Sequence, residues 1–104
     1  MAEYRIELLP LATTDLENIF DYIMLETPAA TEQLLDKIIS SLERLEFFPN
    51  SGVRISHQSL AHYHFRMIVI EPYIAFYKVV DKTVYIYRIL HGARNYIQLL
   101  KPNE

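Results

Sequence analysis

Between Tyr63 and His91 the chain carries three runs rich in apolar, β-branched and aromatic residues, each separated from the next by only two residues. The runs are Tyr63 to Ile70, Tyr73 to Val80 and Thr83 to His91; the separators are Glu71-Pro72 and Asp81-Lys82. Such residues favour the pleated, half-buried surface of a sheet. Two residues can only reverse a strand, because a parallel crossover needs about a dozen or more. The C-terminal half is therefore expected to be a three-stranded antiparallel meander, and the preceding residues have to cover it.

The N-terminal half supplies that cover. Tyr4, Ile6 and Leu8 alternate with Arg5 and Glu7, which predicts a short strand over about residues 3–9, stopped at Pro10. Thr14-Asp15-Leu16-Glu17 fits a capping box with acids in the first turn, and Ala12, Leu16, Ile19, Phe20 and Ile23 recur at helical spacing. A second helix is expected from Thr27-Pro28, with Leu34, Leu35, Ile38, Ile39, Leu42 and Leu45 as its stripe. Phe47-Phe48 closes it, and Pro49-Asn50-Ser51-Gly52 ends the helical half. Residues 53–61 read as loop, and Ala93 to Leu100 as a short tail helix. The expected fold is a single α+β domain over residues 1–104, in two layers. A helical hairpin packs on one face of a mostly antiparallel sheet of about four strands, in the order β-α-α-β-β-β. The other face is expected to lie open and to carry part of the basic half.

Composition narrows the chemistry. With 104 residues there is room for one core. Cysteine is absent, which removes disulfides, thiolate metal sites and a cysteine nucleophile. Gly52 and Gly92 are the only glycines, too few for a phosphate-cradling loop. No apolar run approaches the roughly 18 residues that span a bilayer, and the N-terminus lacks the pattern of a signal peptide, so a cytoplasmic protein without a membrane partner is expected. The net charge of −3 is unevenly spread. Residues 1–52 hold three basic and ten acidic groups; residues 53–104 hold seven basic and three acidic ones, together with all four histidines. An anionic partner would meet the second half.

Candidate functional residues cluster at the end of the last run. Strict alternation places Arg88 with Val84, Ile86 and Leu90, and Tyr85, Tyr87, Ile89 and His91 on the opposite face. Gly92, Arg94 and Tyr96 follow. Arginine binds phosphate with a two-pronged donor fork and histidine moves protons near neutral pH, so this group suits phosphate chemistry; it equally suits the polar end of an exposed strand. Arg66 interrupts an apolar run, either as an anion-binding group or as the partner of a helix carboxylate. His62 and His64, two apart, are expected on one strand face and could ligate a metal, but no third ligand completes a set, and two surface histidines at a strand start are expected. No metal or other cofactor is expected.

The segment Tyr87-Arg88-Ile89-Leu90-His91-Gly92-Ala93-Arg94 resembles the Arg-(Ile/Val)-Leu-His-Gly-Ala-Arg motif of ParE-type toxins in the RelE/ParE superfamily. These are the toxin halves of bacterial type II toxin–antitoxin pairs, also known as plasmid stabilisation proteins. Leu11-Ala12-Thr13-Thr14-Asp15-Leu16-Glu17-Asn18-Ile19 is similar to the family's first-helix opening. Leu42-Glu43-Arg44-Leu45, Pro49-Asn50-Ser51-Gly52 with Arg54, and Tyr73-Ile74-Ala75-Phe76-Tyr77-Lys78 resemble its helix-to-loop stretch and central strand. The resemblance covers about residues 4–100.

That resemblance implies a toxin neutralised by a cognate antitoxin, a small DNA-binding protein with a segment that folds on the toxin. It also implies one of two activities. RelE-like members cleave messenger RNA on the ribosome; ParE-like members block DNA gyrase and are not nucleases. In the nucleases a central-strand arginine meets the scissile phosphate, and here Ile74 holds that position. Arg94 aligns with a second nuclease arginine, the nuclease tyrosine falls against Leu100, and Tyr96 lies one helical turn earlier. The expectation is a ParE-like gyrase inhibitor and not an enzyme, with Arg66, Arg88, His91 and Arg94 binding target or antitoxin. The alternative is a ribosome-dependent messenger RNA endonuclease, for which His91, Arg94 and Tyr96 are the catalytic candidates.

Overall fold

The computed structural model describes residues 3–92 and 94–101. Strand β1 (Arg5–Leu8) leads into helix α1 (Pro10–Glu26) and helix α2 (Thr31–Glu43). Then come β2 (Val53–Arg54), β3 (Arg66–Ile70), β4 (Tyr73–Val80), β5 (Thr83–His91) and a short α3 (Tyr96–Leu100). Ala93, the expected first residue of the tail helix, lies outside the described residues. The sheet has five strands in the order β1-β5-β4-β3-β2, one more than the sequence pattern shows, because β2 is only two residues long. The meander is antiparallel, and β1 closes it by running parallel to β5, with Leu8 opposite Ile86.

Helix α1 starts four residues before the expected capping box. Pro10 takes a first-turn position, where its missing N–H costs nothing, and Thr14 instead donates its hydroxyl to the Pro10 carbonyl at 3.1 Å. Asp15 is therefore not a first-turn acid. After α1 the chain makes one 3-10 turn, Pro28–Ala30, before α2. The two helices lay Ala12, Ile19, Ile38 and Leu42 onto Tyr73, Ala75, Tyr77, Val84, Ile86 and Ile89 of the sheet. Tyr77 anchors the helix-to-sheet junction. Its buried hydroxyl donates to the Pro49 carbonyl and accepts the Gly52 N–H, both at 2.8 Å. A side chain at Gly52 would lie 2.7 Å from the Tyr77 ring and 2.9 Å from the Met67 carbonyl, so the close approach requires glycine.

The second sheet face is covered, contrary to the expectation of an open basic surface. Ile55, Leu60 and Phe65 fold across it and bury Phe76 and Leu90, with Leu100 of α3 closing one side. The loop residues lack any regular period, so no strand or helix pattern announces them. The segment expected to open a strand at Tyr63 is a 3-10 turn, Ala61–Tyr63, followed by His64 in the left-handed region at φ 62°. His62 and His64 thus share no strand face.

A β-bulge in β5 also overturns the strict alternation. Tyr77 faces Ile86 while Phe76 faces Arg88, so Tyr87 is an extra residue. Beyond it the faces exchange. Ile89 joins Val84 and Ile86 under the helices, and Leu90 joins Tyr87 on the second face.

Candidate functional site

The bulge aims the end of β5 at α1. β1 stops at Leu8, so beyond Ile86 this edge of β5 has no strand beside it among the described residues. Asp15 takes over. Its carboxylate accepts the Ile89 backbone N–H at 3.0 Å and two donors of Arg88, Nε at 2.7 Å and Nη2 at 2.9 Å. The two side chains keep only 16% and 11% of their surface exposed. The hydrogen bond to Asp15 raises the Arg88 pKa above its ordinary value, against the opposing effect of burial. A two-pronged pair of this kind fixes geometry as well as charge.

Next to this clamp lies a cleft of about 480 Å³ between α1 and the end of the sheet. Asn18, Ile19, Tyr22 and Ile23 line it from the helix; Pro72, Tyr73, His91 and Arg94 line it from the strand ends. The Tyr73 and His91 rings meet edge to face at 5.8 Å. Burial, and then the nearby Tyr22 hydroxyl, push the Tyr73 phenol pKa up. Arg94 is exposed and its side chain forms no ion pair among the described residues. Asp15 also reaches the cleft, but with its charge matched by Arg88. Among the described residues the cleft therefore presents the Arg94 cation without a counter-charge, aromatic hydroxyls and an amide around an apolar floor. That set suits an anionic side chain flanked by apolar groups.

Of the residues singled out from sequence, His91 and Arg94 line this cleft; Arg88 does not, and is joined to it only through Asp15. Arg66 does not pair with a helix carboxylate. It donates to the carbonyls of Asn50 at 3.2 Å and Gly52 at 2.8 Å, because the turn after α2 points backbone oxygens at the sheet edge. Tyr96 lies on the other sheet face, stacked on Phe76 with ring centroids 5.0 Å apart. Among the described residues no three histidine or carboxylate side chains gather as a metal set. Sequence reading missed Asp15, Asn18 and Tyr22. Their spacing of three and four residues, beside apolar Ile19 and Ile23, is the helical signal that marks them.

Ile74 and Leu100, which the sequence resemblance sets against the nuclease arginine and tyrosine, lie on the second face, and both pack into the apolar cluster of Phe76 and Leu90. Lys78 is the one cation of β4 on this side. Its Nζ lies 4.6 Å from the Phe65 ring centre, 5.1 Å from Tyr87 and 5.6 Å from Tyr63, and burial lowers its pKa.

Comparison with known proteins agrees with this architecture. The family model for the ParE toxin of the type II toxin–antitoxin system parDE matches residues 6–96. The chain belongs to the ParE toxin family. It is 32% identical over 83 residues to toxin RelE2 of Caulobacter vibrioides, covering 80% of this chain and 89% of that one. Its fold matches a chain of the chromosomal ParDE system from P. aeruginosa with a TM-score of 0.70, at 21% identity, over 86% of this chain and 96% of the other. The protein is thus a type II toxin of the RelE/ParE superfamily, and membership implies a cognate antitoxin. Among the described residues no helix is long and apolar enough to cross a membrane.

Proposed function

We propose that this toxin arrests growth in the cytoplasm by inhibiting DNA gyrase, that His91 and Arg94 in the cleft contact its protein target, and that a cognate antitoxin neutralises it. The observation that carries the reading is the pair Ile74 and Leu100. Both stand where the nucleases place charge and a hydroxyl, and both are packed in an apolar cluster. An isoleucine cannot neutralise a scissile phosphate, and electrostatic stabilisation is usually the largest single contribution to such a step. Tyr96, the nearest replacement tyrosine, stacks on Phe76 on the face away from the Arg94 cleft. The net charge of −3 points the same way, because a ribosome-bound nuclease works amid dense phosphate.

The second reading, a ribosome-dependent messenger RNA endonuclease, draws on Arg94, which is retained and exposed, and on the RelE name of the Caulobacter relative. One experiment separates them. Purified toxin is added to gyrase in a supercoiling assay and to programmed ribosomes in a cleavage assay. Inhibited supercoiling with intact messenger RNA is expected. Codon-phased cleavage with gyrase unaffected would replace the first reading by the second.

A further inference from the structure

The two edges of the sheet are protected differently. At the β1 edge Arg5 and Glu7 point outward with 3.8 Å between their charged atoms, and the N–H groups of Glu3 and Tyr4 are bonded to the Glu46 carbonyl. At the opposite edge β2 pairs Val53 with Met67 and Arg54 with Arg66, and the Ile55 N–H donates to the Phe65 carbonyl. Beyond it Ile68-Val69-Ile70 pairs with β4 alone and, among the described residues, bonds to no segment on its outer side. Unpaired edges are templates for another strand, and proteins usually blunt them with charge. This stretch has no charge. It is bordered by exposed apolar side chains instead: Phe48 at 61%, Val53 at 65% and Val69 at 60%.

Cations surround the same edge. Arg44 borders the surface formed by Phe48, Val53 and Val69, and Arg54 and Arg66 stand directly opposite each other. Arg66 bonds backbone carbonyls and Arg54 approaches the His64 ring at 3.5 Å. None of the three has a carboxylate partner among the described residues, although the chain as a whole is acidic. We propose that the β2–β3 edge is a docking site for an extended, acidic segment of a partner protein, which adds to the sheet as a further strand. The faces also dictate a pattern. Ile68 and Ile70 turn toward the helices and Val69 away from them. The incoming strand places carboxylates on the helix side, near the arginines, and apolar residues beside Val53 and Val69. The inference concerns this edge alone and stands whichever target the toxin has.

The test uses two capped synthetic octapeptides, one alternating Glu and Val and one alternating Lys and Val, titrated into isotope-labelled toxin and followed by amide NMR. The Glu-Val peptide is expected to shift Val53, Arg54 and Met67 to Ile70 and to slow exchange of the Val69 amide; the Lys-Val peptide is not. Arg44→Glu combined with Arg54→Glu should weaken the Glu-Val peptide at least tenfold and admit the Lys-Val peptide. If that double variant does not fold, Arg44→Gln alone should weaken the Glu-Val peptide about threefold. Equal binding of both peptides, no binding at millimolar concentration, shifts centred on the Arg94 cleft, or self-association of the toxin through this edge would each overturn the proposal.

Discussion

The two faces of the sheet bury comparable side chains by different means. Under the helices the core is made by long stripes that arrive at helical spacing, and it is tied by groups with defined partners: Asp15 to Arg88 and Ile89, Tyr77 to Pro49 and Gly52. On the second face a loop with no period and a five-residue helix close over Phe76 and Leu90, with Lys78 resting over three aromatic rings. The first face is built to be unique in register. The second is a local closure that sets Ile74 and Leu100 in apolar surroundings. Stability should accordingly be global on one side and local on the other.

The largest effect that would break this contrast is loss of the clamp. Arg88→Ala leaves the nearly buried Asp15 carboxylate without its counter-charge and should cost about 3–5 kcal/mol in chemical denaturation, with the whole domain unfolding together. Tyr77→Phe removes both hydrogen bonds of a buried hydroxyl and strands the Pro49 carbonyl and Gly52 N–H. It should cost about 2–4 kcal/mol, again for the whole domain. Leu60→Ala opens a cavity on the second face and should cost about 2 kcal/mol or more locally. Native-state hydrogen exchange should show it first at residues 55–65 and 96–100, with the β4 and β5 amides nearly unchanged. Equal acceleration throughout would mean that the two faces form one cooperative unit.

The smallest effect is a pH dependence of opposite sign on Tyr77 and Lys78. Burial raises the Tyr77 pKa above 10.0, so the folded state holds its proton more tightly. Its contribution is complete below pH 10 and is lost as pH rises further. Burial lowers the Lys78 pKa below 10.5, so the unfolded chain binds that proton more tightly and stability grows as pH rises through the folded value toward 10.5. Difference melting curves of Tyr77→Phe and Lys78→Met against the parent, taken between pH 8 and 11, should show these two opposite slopes. Lys78→Met itself should change stability by about 1 kcal/mol or less at pH 7.

Legibility from sequence follows the same division. Helix stripes and the two-residue turns define the hairpin and the meander, because hydrophobic period reports directly on which side faces the core. β2 and the covering loop carry no period. The fate of Arg66 depended on where backbone carbonyls point after α2, which composition does not encode. The bulge at Tyr87 reverses which residues of Ile89 to His91 face the helices, and the regular alternation of Val84-Tyr85-Ile86-Tyr87 that leads into it gives no sign of it. That reversal is what brings His91 beside α1, and it explains why Asp15, Asn18 and Tyr22 escaped notice while His91 and Arg94 did not.

The proposed function places the action of this toxin at the helix-side cleft and not at the second face. Growth arrest by Arg94→Ala, induced without antitoxin at a soluble level equal to the parent, tests it most directly. Arg94 is exposed and without an ion pair among the described residues, so its removal should leave Tm within about 2 °C of the parent, the range of a neutral surface substitution. Ile74→Ala, made in parallel, should lower stability and reduce toxicity only as far as the folded fraction falls. Arg94→Ala is expected to lose growth arrest at unchanged Tm. Full toxicity of Arg94→Ala, with toxicity abolished by Ile74→Ala at intact folding, would contradict it.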